Sequence, residues 1–422
     1  MRDILVLCPQ ERDLIFIEAA GLSERYRIHF AGSDLDQLDS FDPQAFLEDC
    51  DEIPADAVVG TKDLSALLAA LVAERRGLPS PTPQALVTCQ HKPTSRALQK
   101  LVAPKAVPGF AELLDNHVPF DVPFFVKPVV GRLSQNALRI DSAAELSELH
   151  ELDRYTARYA QIAELAGADP DAVHGFLAEE LLEGDEVTLE GYVHRGRVTT
   201  IGVTDSVKYP GTNSFERFEY PTILTEERQR ELSAVSARVM PALGFDDGFF
   251  NVEFFVAPGK PAQIIEVNGR IASQFAPLVQ ALHGRSTYEA LFQLACGEDP
   301  RWEPGRPVGV GVSYCLRIFH DAFVARVPDP EPGLELLVRP GLHLSEQGVN
   351  DAQSYRLAIL YAVGQTREEA VRTCLERAAA LSFRLEPLPV LSQGLARHGW
   401  RCRCRRRRRR RARARRRRAS RP

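Results

Sequence analysis

No stretch of the 422 residues approaches the about 18 consecutive apolar residues that a membrane-spanning helix needs, so no membrane span is expected. The opening, MRDILVLCPQ, breaks at Pro9 after a few apolar residues. It lacks the apolar core and small-residue cleavage site of a secretory signal, and reads as a first β-strand of a cytoplasmic protein. The eight cysteines are scattered and none forms a CxxC pair, which argues against a zinc ribbon or a disulfide framework and for free thiols in a reducing compartment. Two common nucleotide cradles are also missing. There is no GxxxxGK[ST] loop, and the one GxG, Gly309 to Gly311, lacks its third glycine. CPQERD, after the first strand, offers no glycine-rich turn to a dinucleotide. Any ATP site must use another scaffold. No internal repeat is visible.

What is present is a globular composition, 44% apolar and 26% charged, on a chain long enough for two or three domains. The net charge of −5 hides a split: setting apart the sixteen arginines of residues 397–422, which include no Asp or Glu, leaves −21 on residues 1–396. An acidic body argues against a specific nucleic-acid partner. The arginine block cannot bury apolar surface and is expected to be disordered. It suits a polyanion tether, a solvated extension or wrong-frame translation of GC-rich DNA.

Along the chain, short apolar runs (ILVL near residue 5, YRIHF, AVV near 58) alternate with helical stretches (Glu11 to Ala20, LSALLAALVAERR), the rhythm of a small α/β sheet domain. GLPSPTPQ at 77–84 and RWEPGRPV near 301–308 mark boundaries. Beyond the second, GVSYCLRIF leads through PDPEPG to a strand, YRLAILYAVG. A helix from Thr366 follows, expected to present Val371, Cys374, Leu375, Ala378 and Leu381 on one face.

Three segments carry chemistry. FFVKP at 124–128 is a strand ending in Lys127, followed by a loop with Gly131, Ser134 and Gln135. A lysine there reaches phosphate oxygens as a point charge while small residues let backbone N–H groups approach; a solvated strand end is the plainer reading. AEELLEGDEVTLEGY at 178–192 puts Glu186, Thr188 and Glu190 on one face against Val187 and Leu189. It suits either an acidic, solvated hairpin or a segment whose main chain meets an adenine edge and whose carboxylate takes ribose hydroxyls. GFFNVEFFV (248–256) and AQIIEVNGR (262–270), joined by APGKP, predict an antiparallel hairpin. Alternation sets Asn251 and Glu253 on one face, and Glu266 and Asn268 on the corresponding face of the second strand. Carboxylates so placed repel unless a divalent cation neutralises them, and hard oxygen donors suit Mg²⁺.

In this order the segments resemble the ATP-grasp superfamily, specifically its carboxylate–amine ligase branch, which includes the L-amino acid ligases and relatives of biotin carboxylase. The resemblance runs from about Cys89 to Cys296 and more weakly to about 390. QHKPTSRALQKLVAPKAVPGF is similar to the segment that carries a first phosphate lysine, here Lys92. FVKPVVGRLSQN implies Lys127 as the second lysine, with Gly131 and Ser134 in its loop. AEELLEGDE implies an adenine hinge at Glu179, Glu180 and Leu182, with Glu186 on the ribose. NVEFF and IIEVNGR imply Glu253, Glu266 and Asn268 as metal ligands and Arg270 as the catalytic cation at an acyl phosphate. The loop is poorer in glycine than in many members, and Gly269 stands where many have proline. The implied fold is α/β, with an N-terminal open α/β sheet domain at 1–88, a two-lobed ATP-grasp domain at 89–300, a small C-terminal α+β subdomain at 301–390 and the basic tail at 391–422.

The resemblance implies ATP and Mg²⁺, with Mn²⁺ as a substitute, and small-molecule carboxylate and amine substrates in a monomer or homodimer. A carboxylate attacks the γ-phosphate, then an amine attacks the acyl phosphate. Such chemistry rests on positioning and charge neutralisation, and no nucleophilic Ser or Cys stands in a recognisable setting. Two alternatives are a carboxylase working through carboxyphosphate, for which no AMKM-like biotin lysine occurs, and a non-catalytic ATP-binding regulator, which would not need the full ligand set.

Overall fold

Ile4 to Leu7 are buried on both faces, as an unbroken apolar strand requires. In the computed structural model, Arg2–Leu7 is the centre of a three-stranded parallel sheet, flanked by Tyr26–Ala31 and Ala57–Val59. The amphipathic stretch forms a helix over Glu11–Ala19. Asp63–Arg76 is buried continuously from Leu64 to Ala73 and ends at Gly77, whose φ of 63° is the left-handed cap that glycine adopts without a Cβ clash. The structure describes residues 1–113, 120–132, 135–150, 153–303, 305, 307–347, 351 and 354–387. Ser134 and the basic tail at 391–422 lie outside them. Met1–Glu386 form one compact unit.

Two antiparallel sheets build the rest of the site. The smaller has the order Phe110–Glu112, Phe176–Glu180, Phe124–Pro128, Leu138–Ile140. The larger has eight strands in the order Gln263–Asn268, Gly248–Val256, Asp185–His194, Arg197–Lys208, Phe215–Tyr220, Val310–Ile318, Tyr355–Gly364, Leu334–Leu336. Strands on both sides of RWEPGRPV therefore share one sheet, joined where Val310–Ile318 pairs with Phe215–Tyr220. One face of its first half fills the main core with Val187, Leu189, Phe250, Val252, Phe254 and Val267.

The helix Arg367–Ala380 is capped by Thr366, whose Oγ1 accepts from the Glu369 N–H at 3.2 Å. It buries Ala370 and Cys374 against Val312, Tyr314 and Leu360, with Val371, Ala378 and Leu381 at the margin. The expected face was one residue too wide. Leu375 is 45% exposed, because it is rotated about 100° from Cys374 around the helix. Among the described residues no helix is long and apolar enough to cross a membrane. All six described cysteines are free, and burial pushes the thiols of Cys8, Cys89 and Cys374 up to about 12, far from nucleophilic.

Candidate active site

Strand register assembles the acidic face. Across the predicted hairpin Glu253 pairs with Glu266 and Asn251 with Asn268; on the other side Thr188 stands opposite Glu253 and Glu190 opposite Asn251. Because side chains alternate, these residues and Glu186 share the face opposite the core. Asn268 Nδ2 donates to Asn251 Oδ1 at 2.9 Å and to Glu253 Oε1 at 3.2 Å, while Asn251 Nδ2 donates to the Arg270 carbonyl at 3.1 Å.

Cations meet this face from the smaller sheet and the helix before it. Lys92 opens the helix Lys92–Val102 and places Nζ 3.0 Å from Glu266 Oε1. Lys127, at the end of its strand, places Nζ 2.8 Å from Glu179 Oε2 and donates to the Ile265 carbonyl at 3.0 Å. Arg96 closes the cluster: Nε donates to Glu179 Oε1 at 2.5 Å and Nη2 to the Ile265 carbonyl at 2.8 Å. Arg270 Nε donates to Asp63 Oδ1 at 3.0 Å, tying the site to the N-terminal sheet unit. Lys208 Nζ sits 2.9 Å from Glu186 Oε2.

The charges respond to burial and to one another. Burial opposes ionisation of Glu179, but Lys127 and Arg96 outweigh it and hold its carboxyl down to about 2. Burial brings Lys127 down to about 8 against the pull of Glu179. Burial likewise works against Glu266, yet Lys92 and Lys127 keep it below the ordinary carboxylate range. Glu253 behaves differently. Burial, then repulsion from Glu266 and Glu186, pushes it up to about 8. Glu190, buried beside the Ala272 N–H, is pushed up to about 7 by burial.

Among the described residues no group of three or more His, Cys, Asp or Glu gathers as a ready-made metal site. The donor set here is instead two facing carboxylates and an amide oxygen, Glu253, Glu266 and Asn268. Among the described residues Glu253 makes no ion pair, and the burial and repulsion that oppose its ionisation are what a divalent cation with phosphate ligands would offset. That donor set fits Mg²⁺.

The other predicted residues scatter in role. The Glu179 carboxylate is committed to Arg96 and Lys127, and that of Glu180 accepts from the Gly109 N–H at 2.8 Å, so neither side chain is free for the expected hinge role. Leu182 is half-buried in the connection that follows. Gly131 lines a small cavity with Asp63, Tyr155, Glu266 and Asn268, and a Cβ there would meet only Pro128, at 3.5 Å. Sequence reasoning missed Asp63, Arg96 and Lys208. Asn251 and Glu190 were legible on the polar face but had no role assigned.

A cavity of about 730 Å³ opens beside the acidic face, lined by Glu186, Thr188, Asn251, Glu253 and Arg270, by the Thr61–Ser65 segment, and by aromatic and apolar side chains of the sheet's second half. Glu253 and Arg270 thus border both the acidic face and the cavity.

Residues 120–277 match the family model of the ATP-grasp domain. The structure is similar to an L-amino acid ligase from Bacillus licheniformis (18% identity, 91% of this chain and 98% of that one, TM-score 0.73). It is also similar to a biotin carboxylase in complex with β-γ-ATP from Campylobacter jejuni (13%, 92% and 93%, 0.62) and to N5-carboxyaminoimidazole ribonucleotide synthetase from Thermotoga maritima (14%, 92% and 100%, 0.63). No curated protein sequence matches the chain. Residues 120–277 thus match an ATP-grasp domain, and the chain carries the fold of an L-amino acid ligase and of a biotin carboxylase.

Proposed function

We propose that this chain is an ATP- and Mg²⁺-dependent ligase that activates a small-molecule carboxylate as an acyl phosphate and transfers the acyl group to an amine. The observation that carries the reading is the register pair Glu253–Glu266 on a polar sheet face, with Lys92, Lys127 and Arg270 converging on it. In the first step a carboxylate oxygen bonds to the γ-phosphorus and the bond to the β–γ bridging oxygen breaks, releasing ADP. In the second the amine nitrogen bonds to the acyl carbon, the carbon–oxygen bond to phosphate breaks, and the amine loses a proton.

Lys92 and Lys127 hold phosphate oxygens, and Arg270 balances charge on the acyl phosphate. The main chain of 180–182 meets the base and Glu186 the ribose. Mg²⁺ held by Glu253, Glu266 and Asn268 would supply charge neutralisation across the phosphates.

Glu266→Gln removes a ligand charge without touching the core, so kcat for ADP release should fall more than about 100-fold with the circular dichroism spectrum unchanged. Activity within a few-fold of wild type would sink the ligand assignment. Failure of the wild-type chain to release ADP with any mixture of carboxylates and amines would sink the ligase reading itself.

A further inference from the structure

The second half of the large sheet supplies a wall of the cavity that the phosphoryl chemistry does not use. Phe215, Phe218 and Phe275 line it, beside two buried polar atoms that have no hydrogen-bond partner among the described residues: Ser206 Oγ and Arg356 Nε. Most cations lining this cavity are committed. Arg12 holds Glu335, Lys62 holds Asp34 and Asp36, Arg132 holds Asp36, and Arg270 holds Asp63; Arg339 is exposed. Arg356 holds no carboxylate among the described residues.

Its surroundings explain why. The register partner of Arg356 on the neighbouring strand is Arg317, which takes the nearby carboxylate Asp351 at 2.8 Å. Two arginines are therefore register partners, and Asp351 is paired with Arg317. The one described contact of the Arg356 guanidinium is a weak one, Nη1 to Gln274 Oε1 at 3.4 Å, while Gln274 Nε2 donates to Ser313 Oγ at 2.9 Å. Ser206, Phe218 and Ser313 are cross-strand neighbours, so Ser206 lies about 10 Å along the sheet from Ser313. Gln274 is four residues beyond Arg270, which limits the separation of their Cα atoms to about 14 Å.

A guanidinium offers five donors in a planar fork that matches a carboxylate. One left with spare donors at a partly apolar wall, beyond the carboxylate-activating end, is placed to take a second anion. We propose that Arg356 anchors the carboxylate of the amine substrate, so that the acceptor is an apolar amino acid, its side chain against the phenylalanine wall and its amine directed toward Arg270. This rests on the ligase reading above and assigns the acceptor end of that same cavity.

The test is a competition in one vessel. The full chain, Mg²⁺, ATP and an amino-acid mixture as donors are supplied with equal amounts of L-leucine and L-leucinamide, and of L-phenylalanine and L-phenylalaninamide, and the products are separated by mass spectrometry. Products ending in the free acid should exceed those ending in the amide by about 10- to 100-fold in wild type. Arg356→Met should bring the acid products down to the amide level while leaving the amide products unchanged, and Arg356→Lys should restore part of the preference. Equal use of acid and amide by the wild-type chain overturns the anchor, a result that needs no variant to fold. So does an Arg356→Met variant that keeps the preference or lowers both product classes alike. Absence of ADP release with every pair overturns the ligase reading and the anchor with it.

Discussion

Glu179→Gln separates the two roles open to this residue, adenine recognition and counter-ion. Its carboxylate is 4% exposed and faces both Arg96 and Lys127. Removing it leaves two buried cations to share a neutral amide, and deleting one partner of a buried pair costs about 3–5 kcal/mol. The depressed carboxyl points to the same scale: a fall from 4.5 to about 2 corresponds to about 3 kcal/mol of folded-state stabilisation at pH 7. The sign follows from the folded value lying below the unfolded one. The contribution is fully present above about 4.5 and is lost as pH falls toward 2. Because a chain of this size need not unfold in one step, the assay is native-state hydrogen exchange read at the amides of Phe124–Pro128 and Phe176–Glu180. The opening free energy there should drop by about 3 kcal/mol in the variant at pH 7, and the gap to wild type should narrow as the pH is taken below about 4.5. A drop under about 1 kcal/mol, or a gap indifferent to acid, would refute the counter-ion role.

Two further outcomes follow from the same neighbourhood. Burial sets Lys127 at about 8, so its ammonium is present below that value, and ATP affinity measured by calorimetry should weaken as pH rises through about 8, a dependence that Lys127→Arg should abolish. A Cβ at Gly269 would meet Leu86 Cδ2 at 2.7 Å and Phe245 Cε2 at 2.9 Å, so Gly269→Ala should cost about 1–3 kcal/mol, seen as a lowered thermal midpoint; an unchanged midpoint would show that Leu86 and Phe245 give way freely.

The hairpin was legible because its information is local. Alternation over Gly248–Val256 and Gln263–Asn268 fixes which side chains share a face, and the tight turn fixes the pairing that brings Glu253 to Glu266. The neutralising partners were not legible. Arg96 and Glu179 lie 83 residues apart, and Asp63 and Arg270 lie 207 apart, so only the packing of separate sheets brings each pair into contact. Arg356 was hidden differently, inside YRLAILYAVG, whose apolar run reads as a core strand and gives no sign that one end borders a cavity. The short strands Ala322–Arg326 and Leu334–Leu336 carry too few residues for a period to register. Gly269, a departure from the family pattern at the level of sequence, has a steric reason in Leu86 and Phe245.

The pairing pattern also bears on how nucleotide and metal would arrive. Lys92 is bound to Glu266 and Lys208 to Glu186, so a polyphosphate approaching alone must compete with a carboxylate for each cation while facing the Glu253–Glu266 pair. Glu253 and Glu266 would hold a divalent cation whose charge would offset their repulsion, leaving Lys92 available to a phosphate oxygen. Lys127 is different, because Glu179 is shared with Arg96 and can stay paired while the ammonium turns toward phosphate. On the proposed chemistry the metal and the nucleotide are therefore coupled through Glu266 and Lys92. By linkage the coupling must be equal in both directions, with ATP raising the affinity for the metal by the factor that the metal raises the affinity for ATP.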